Sequence, residues 1–461
     1  MQKSWTVPSE NLPIADDFDV IVAGGGTAGV CAAIAAARNG AKTLLVEQYG
    51  FPGGTQTAGQ VGPLCPNFNP DGTPLTKGIG QEIWNRLGKA NGGYDLPPDG
   101  KYKQGEWAWF DFEALKNLEE QMLIEAGVTL LYHTYISQPM MVDNKVCGLI
   151  IDNKSGRQAI AAKVIVDATG DADVVFRSGA PCENGRPGDG LNQPGTLRFH
   201  VGHVDWERLT AFLKTHNVPL IQGKLPTVSY GIGGGAKDLA AYLNQCVDEG
   251  KVDKEDIRYF QFYAAVGRPG EISFNCPEIR QYQGTEAADL TAMQIEGRKA
   301  IARLIDFCKR CLPGFEDCYL ASVAPMPGIR SSRRAVTDYV LTVNDVVNGV
   351  KFDDAVARNN WPPDIHSVKK DEDLYLDHEP VDFVEIPYRC LLPQNIDNLL
   401  VAGRCIGVDF AAQAAIRISR TCQALGEAAG TAAAYAVKDA ITPRQLSGTK
   451  LHRILVDNGL L

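Results

Sequence analysis

Gly24, Gly26 and Gly29 are spaced as G-x-G-x-x-G, and a single acid, Glu47, closes the stretch FDVIVAGGGTAGVCAAIAAARNGAKTLLVE that contains them. Glycines at this spacing keep a turn tight and let backbone N–H groups approach a pyrophosphate. Thr27 and Ala28 fall where a helix would begin, and a helix N-terminus carries partial positive charge toward phosphate oxygens. Glu47 can accept hydrogen bonds from a ribose diol, with Gln48 beside it, and it would repel a 2′-phosphate. The chemistry these residues can do is to hold a dinucleotide. By themselves they do not separate FAD from NAD.

Holding those groups in place takes a strand, a helix and a second strand. DVIVAG is a β-branched apolar run of the kind that forms a buried parallel strand. TAGVCAAIAAARNG reads as a helix of small residues ending at Gly40, and KTLLVE as the next buried strand. The unit is one βαβ motif. After it, QYGFPGGTQTAGQVGP brings Gly54, Thr55 and Thr57, whose backbone and hydroxyls can lie along a long cofactor. Much later, AKVIVDATGDADVV supplies another buried strand that ends in Thr169, Gly170 and Asp171.

That A-T-G strand end resembles the second cofactor motif of flavoproteins with the glutathione-reductase type of FAD domain. The segments QPGTLRFHVGHVD, PGIRSSRRAVTDYVLTVNDV, WPPDIH, IPYRCLLP and NIDNLLVAGRCIGVDFAAQAAIRISRTCQALGEAAGTAAAYA resemble the FAD-dependent oxidoreductase family, related to fumarate reductase flavoproteins and heterodisulfide reductase flavin subunits. The resemblance runs from Phe18 to about Ala436. It implies FAD as the cofactor, and with no histidine near Gly54 to tether it the FAD is expected to be held noncovalently. It adds Gly403, Arg404 and Asp409, at and after an A-G-R strand end, to the cofactor-binding residues, and it makes Arg417 the opening of the last long helix. Small residues such as Ala428, Ala429 and Gly430 would permit close packing there. One departure stands out. Relatives commonly carry a serine and then a histidine after A-G-R, where this chain has Gly407 and Phe410, and phenylalanine can neither donate a proton nor tether a flavin.

Composition fits this reading. The chain has 461 residues, 44% hydrophobic and 22% charged, as in ordinary soluble proteins. The formal net charge of −10 argues against nucleic acid or an anionic membrane as partner. The N-terminal stretch lacks a signal-peptide core, and the most apolar run is broken by glycines, so neither export nor membrane insertion is expected. The twelve cysteines are scattered, which suits reduced thiols in the cytoplasm. Cys308 and Cys311 form a C-x-x-C without a partner pair, so no metal is expected.

The expected fold class is α/β: a Rossmann-like FAD-binding domain in discontinuous segments with an inserted α+β substrate domain. The boundaries are 1–64 for the first FAD segment, 65–105 for flavin-side loops and 106–190 for the second FAD segment. The insertion covers 191–322, and 323–461 forms the third FAD segment with its C-terminal helix. YGIGGGAKD reads as a mobile loop of the insertion. Arg330, Arg333 and Arg334 read either as a carboxylate clamp or as a salt-bridged basic face.

The expected function is hydride transfer between a small organic substrate and flavin N5, by a dehydrogenase or oxidase. His200, Arg330, His366 and Arg417 are the candidates for the proton or oxyanion role. One dinucleotide fingerprint implies an external electron acceptor or donor, and homo-oligomerisation stays open. Two other readings stay open too: a flavin electron-transfer subunit of a larger redox complex, and a flavin monooxygenase or halogenase.

Overall fold

The computed structural model describes residues 11–64, 67–89, 108–220, 225–230, 236–265, 267–366, 368–369 and 382–461. The apolar run becomes β1 (Ile14–Ala23), fully buried from Val20 onward, as a strand covered on both faces must be. The chain turns at the glycines into α1 (Thr27–Arg38), and β2 (Thr43–Val46) returns parallel to β1. Helices α2 (Gly78–Lys89) and α3 (Phe112–Glu125) follow, the latter capped by Asp111, which accepts from the Glu113 and Ala114 backbone N–H groups. Next comes β3 (Thr129–Leu131), parallel to β2. Then β4 (Tyr135–Val142), β5 (Lys145–Asn153) and β6 (Gly156–Asp167) form an antiparallel meander, and β6 runs parallel beside β1. The glycine turn and the A-T-G turn thus leave neighbouring parallel strands at the same, carboxyl end of the sheet.

The next strands build a separate sheet: β7 (Phe199–Gly202), β8 (Thr227–Tyr230), β9 (Phe260–Ala264), β10 (Ile272–Phe274) and, after the long helix α4 (Ala287–Cys311), β11 (Tyr319–Val323). Their order is β8-β9-β10-β7-β11, antiparallel throughout. Phe199, Phe260, Phe262 and Phe274 fill its core with Phe307 of α4 and with Phe315. Cys308 and Cys311 belong to that core, and burial pushes the Cys308 thiol up. Among the described residues no group of ligating side chains is placed to hold a metal, and no helix is long and apolar enough to cross a membrane.

The chain then rejoins the first sheet through β12 (Leu399–Val401), parallel to the end of β6. Two helices follow, α5 (Phe410–Ile416) and α6 (Ser419–Lys438). This corrects the expectation that Arg417 opens the last long helix. Arg417 is the C-cap of α5, Ile418 is extended, and α6 begins after it. Helix α6 packs against α1 so tightly that a Cβ on Gly426 or Gly430 would lie 2.0 Å from the carbonyl oxygens of Ala28 and Ala32. The loop at 231–235 and the turn-rich stretch LPPDGKYKQGEW fall outside the described residues.

Candidate functional site

A cavity of about 1010 Å³ lies between the two sheets. At one end it is walled by Gly24, Gly26, Thr27 and Ala28. Gly24 has φ +94°, which an L side chain rarely adopts, and a Cβ there would meet the Ala168 carbonyl at 2.8 Å. No side chain caps the start of α1, so the end of the helix is presented to the cavity. Glu47 and Gln48 also line this end. The Glu47 carboxylate accepts from the Gly25 backbone N–H at 2.7 Å and from that of Tyr49 at 2.8 Å. An uncapped helix N-terminus with a buried acid beyond it fits the ADP half of a dinucleotide.

Gly54 and Thr55 approach the same turn, with the Gly53 N–H bonded to the Gly25 carbonyl at 2.8 Å. A Cβ on Gly54 would stand 2.7 Å from Gly26 Cα, so backbone meets backbone there. Thr169 and Asp171 line the cavity from the A-T-G end, Gly403 and Arg404 from the A-G-R end. Arg404 ties these ends together. It donates to the Gly170 carbonyl at 2.9 Å, to Asp171 at 2.6 Å and to the Ile329 carbonyl.

One wall of the cavity holds three of the four residues expected in the proton or oxyanion role. His366 Nδ1 is 2.7 Å from Glu278, and its Nε2 is 3.6 Å from Asp364. Arg417 donates to Asp364 at 3.0 Å. Arg330 donates to the Pro194 carbonyl at 2.6 Å and stands 3.5 Å from Glu278. Burial alone would raise the Glu278 carboxyl, but the His366 bond and the Arg330 charge outweigh it and hold it at about 2. Asp364 is likewise held well below the ordinary carboxylate range. Burial opposes this, and the charges of His366 and Arg417 prevail. His366 is thus gripped between two ionised carboxylates.

His200 is not on that wall. It is buried, with Nδ1 2.6 Å from Glu271 and its ring edge-on to Phe112. Glu271 is 3.6 Å from Arg268, which in turn pairs with the α3 cap Asp111, so His200 belongs to an ion-pair chain joining the second sheet to α3. Desolvation lowers its pKa despite the adjacent carboxylate. Four expected cofactor residues also stand back from the cavity. Gly29 packs on the Gly24 carbonyl, 1.8 Å from where its Cβ would be. Thr57 donates to the Pro52 carbonyl at 2.6 Å, Gly170 accepts from Arg404, and Asp409 caps α5 through the Ala412 N–H. Phe410 packs with Ile365, Val368 and Ala414. Arg333 and Arg334 do form the salt bridges of the second reading, Arg334 with Glu183 at 3.3 Å, but neither lies on a solvated face. Arg333 pairs with Asp173 and lies over Phe176, while Arg334 is buried against the Val408 and Gly185 carbonyls.

Several lining residues were not among the expected ones: Arg198, Ser229, Tyr259, Gln261 and Asn275. Glu278, the partner of His366, was missed as well. A signal existed in YFQFY, Tyr259–Tyr263, where phenylalanine alternates with polar or amphipathic residues as in a strand with two different faces.

A search of curated proteins found no match. Similar solved structures include a halogenase of chondrochloren from a myxobacterium, 14% identical over 95% of this chain and 78% of that one, with a TM-score of 0.49. They also include p-nitrophenol 4-monooxygenase from Pseudomonas putida, 13% identical over 96% and 85%, with a TM-score of 0.46. A geranylgeranyl bacteriochlorophyll reductase-like protein from Thermoplasma acidophilum is 14% identical over 96% and 84%, with a TM-score of 0.44. The model of the FAD dependent oxidoreductase family matches residues 19–455. That match takes in the glycine turn, both later strand ends and the wall of His366, and on it the chain belongs to the FAD dependent oxidoreductase family, with FAD as its cofactor.

Proposed function

We propose that the protein is a dehydrogenase or oxidase of a small organic substrate, with His366 as the group that takes or gives the substrate's proton. The observation that supports this most is the Glu278–His366–Asp364 arrangement, which lies on the cavity that also holds the glycine turn. When bound, FAD supplies the two-electron acceptor or donor. The chain's residues manage the rest. Glu278 fixes the ring by accepting from Nδ1–H, which leaves Nε2 to take the proton. Asp364 stands 3.6 Å from Nε2 on the other side of the ring. Arg330 and Arg417 keep those carboxylates in place. Electrons then pass to or from an external partner.

The test is anaerobic bleaching of the holoenzyme's flavin over a panel of alcohols, amines, steroids and sugars. With a compound that bleaches it, His366→Gln should slow reduction by about a hundredfold or more at unchanged FAD content. Glu278→Gln should slow it less and shift the pH profile. Unchanged reduction in His366→Gln would remove the proton role. Bleaching by a protein donor alone would point to an electron-transfer subunit instead.

A further inference from the structure

Ser229 of β8, Gln261 of β9 and Asn275, the residue after β10, stand side by side. Ser229 pairs directly with Gln261, and the Asn275 N–H donates to the Gln261 carbonyl at 2.8 Å. Their side chains are joined too. Gln261 Nε2 donates to Ser229 Oγ at 3.3 Å, and Asn275 Nδ2 reaches Gln261 Oε1 at 2.6 Å and the Tyr259 hydroxyl at 2.9 Å. Tyr259 donates to Gln261 Oε1 at 3.0 Å. All four line the cavity. Between them in sequence, Phe260 and Phe262 point the other way, into the phenylalanine core.

Ser229 is exposed and Gln261 and Asn275 are half-buried, so a ligand that covers the row must offer hydrogen bonds in place of water. The row's internal bonds leave capacity on the cavity side. Among the described residues Asn275 Oδ1 has no hydrogen-bond partner, and Ser229 accepts from Gln261 while its own O–H has none. An amide oxygen and a hydroxyl offered together suit a ligand hydroxyl, which both donates and accepts. Four neighbouring arginines are paired with carboxylates. Arg330 is matched by Glu278, Arg417 by Asp364, Arg404 by Asp171 and Arg333 by Asp173. Arg198 also lines the cavity, over the Tyr263 ring, but the row itself offers only neutral groups to a ligand.

We infer that the row Ser229–Gln261–Asn275–Tyr259 is a substrate subsite for an uncharged polyhydroxylated compound, a sugar or polyol, held against the wall that carries His366. The Tyr259 ring joins the two, edge-on to His366 at 5.3 Å between ring centres. The inference rests on the proposed function only in taking this cavity as the substrate site.

The experiment titrates the FAD-loaded protein with D-glucose, D-glucitol, D-gluconate and 1-hexanol, reading the flavin absorption spectrum without oxygen. Glucose or glucitol should perturb the spectrum at a concentration about tenfold or more below that of gluconate and hexanol. Gln261→Leu, with FAD content and circular dichroism unchanged, should raise the polyol half-saturation about tenfold and leave that of hexanol unaltered or lower. Ser229→Ala, a smaller change, should move it in the same direction. Gluconate or hexanol matching the polyols, no response to either polyol, or a wild-type polyol preference in both variants would overturn the subsite. The two proposals fail separately. A polyol that perturbs the flavin without ever bleaching it would leave the subsite standing and count against the proposed dehydrogenase or oxidase activity.

Discussion

Glu119 on α3 is fully buried, and neither of its carboxyl oxygens has a hydrogen-bond partner among the described residues. Its Oε2 lies 2.7 Å from where a side chain on Gly53 would begin, directly behind the loop that meets the glycine turn. Burial pushes its pKa from 4.5 to about 8, so the folded protein holds a proton that the unfolded chain releases. The sign follows from proton counting. The folded state binds the extra proton between those two values, so stability falls as pH rises through that window and is highest below it. Glu119→Gln has no proton to lose. Its melting temperature relative to the parent should therefore climb from about pH 5 to about pH 9, following a stability difference of up to about 1.4 kcal/mol per pH unit. A difference that stays flat with pH would mean that the carboxyl ionises as in water. Glu278, also buried, behaves in the opposite sense because His366 and Arg330 face it. Burial sets a carboxyl's charge only where partners do not.

Among the elements, the α1–α6 contact carries the most consequence for the cofactor. Gly426 and Gly430 face the carbonyls of Ala28 and Ala32, and Ala428, Ala429 and Ala432 are fully buried beside them. The start of α1 is also the phosphate end of the cavity. Gly430→Val should force the helices apart, at a cost of about 1–3 kcal/mol or more for overpacking. It should also lower FAD content, because the displaced helix carries Thr27 and Ala28. Thermal melting and the flavin-to-protein absorbance ratio check both effects. Wild-type values in both would show that the contact is looser than these distances require.

For the whole molecule, the cavity draws its walls from both sheets, so ligand and fold are linked. Protein stripped of FAD should melt lower. Adding FAD at about a hundred times its dissociation constant should restore about 2.7 kcal/mol together with the yellow colour. NAD should restore neither. Rescue by NAD and not by FAD would contradict the family assignment and, with it, the reading of Glu47.

The parallel βαβ unit, its glycine turn and Glu47 were legible in the chain because each depends on residues within a short window: a buried apolar run, glycine where φ is positive, an acid at the next strand end. The A-T-G and A-G-R ends were legible for the same reason. Pairing across the chain was not. Glu278 lies far in sequence from His366, and Glu271 lies far from His200, yet these partners decide that His366 faces the cavity and His200 does not. The two histidines look equivalent as residues. Their difference arises when β7 crosses between β10 and β11, which buries His200 against α3, while the segment after Trp361 returns over the cavity. The polar row follows the same rule. Its alternation is written in YFQFY, but only the sheet register sets Ser229 and Asn275 beside Gln261, and only the packing of Phe260 and Phe262 into the core decides which face meets the cofactor cavity.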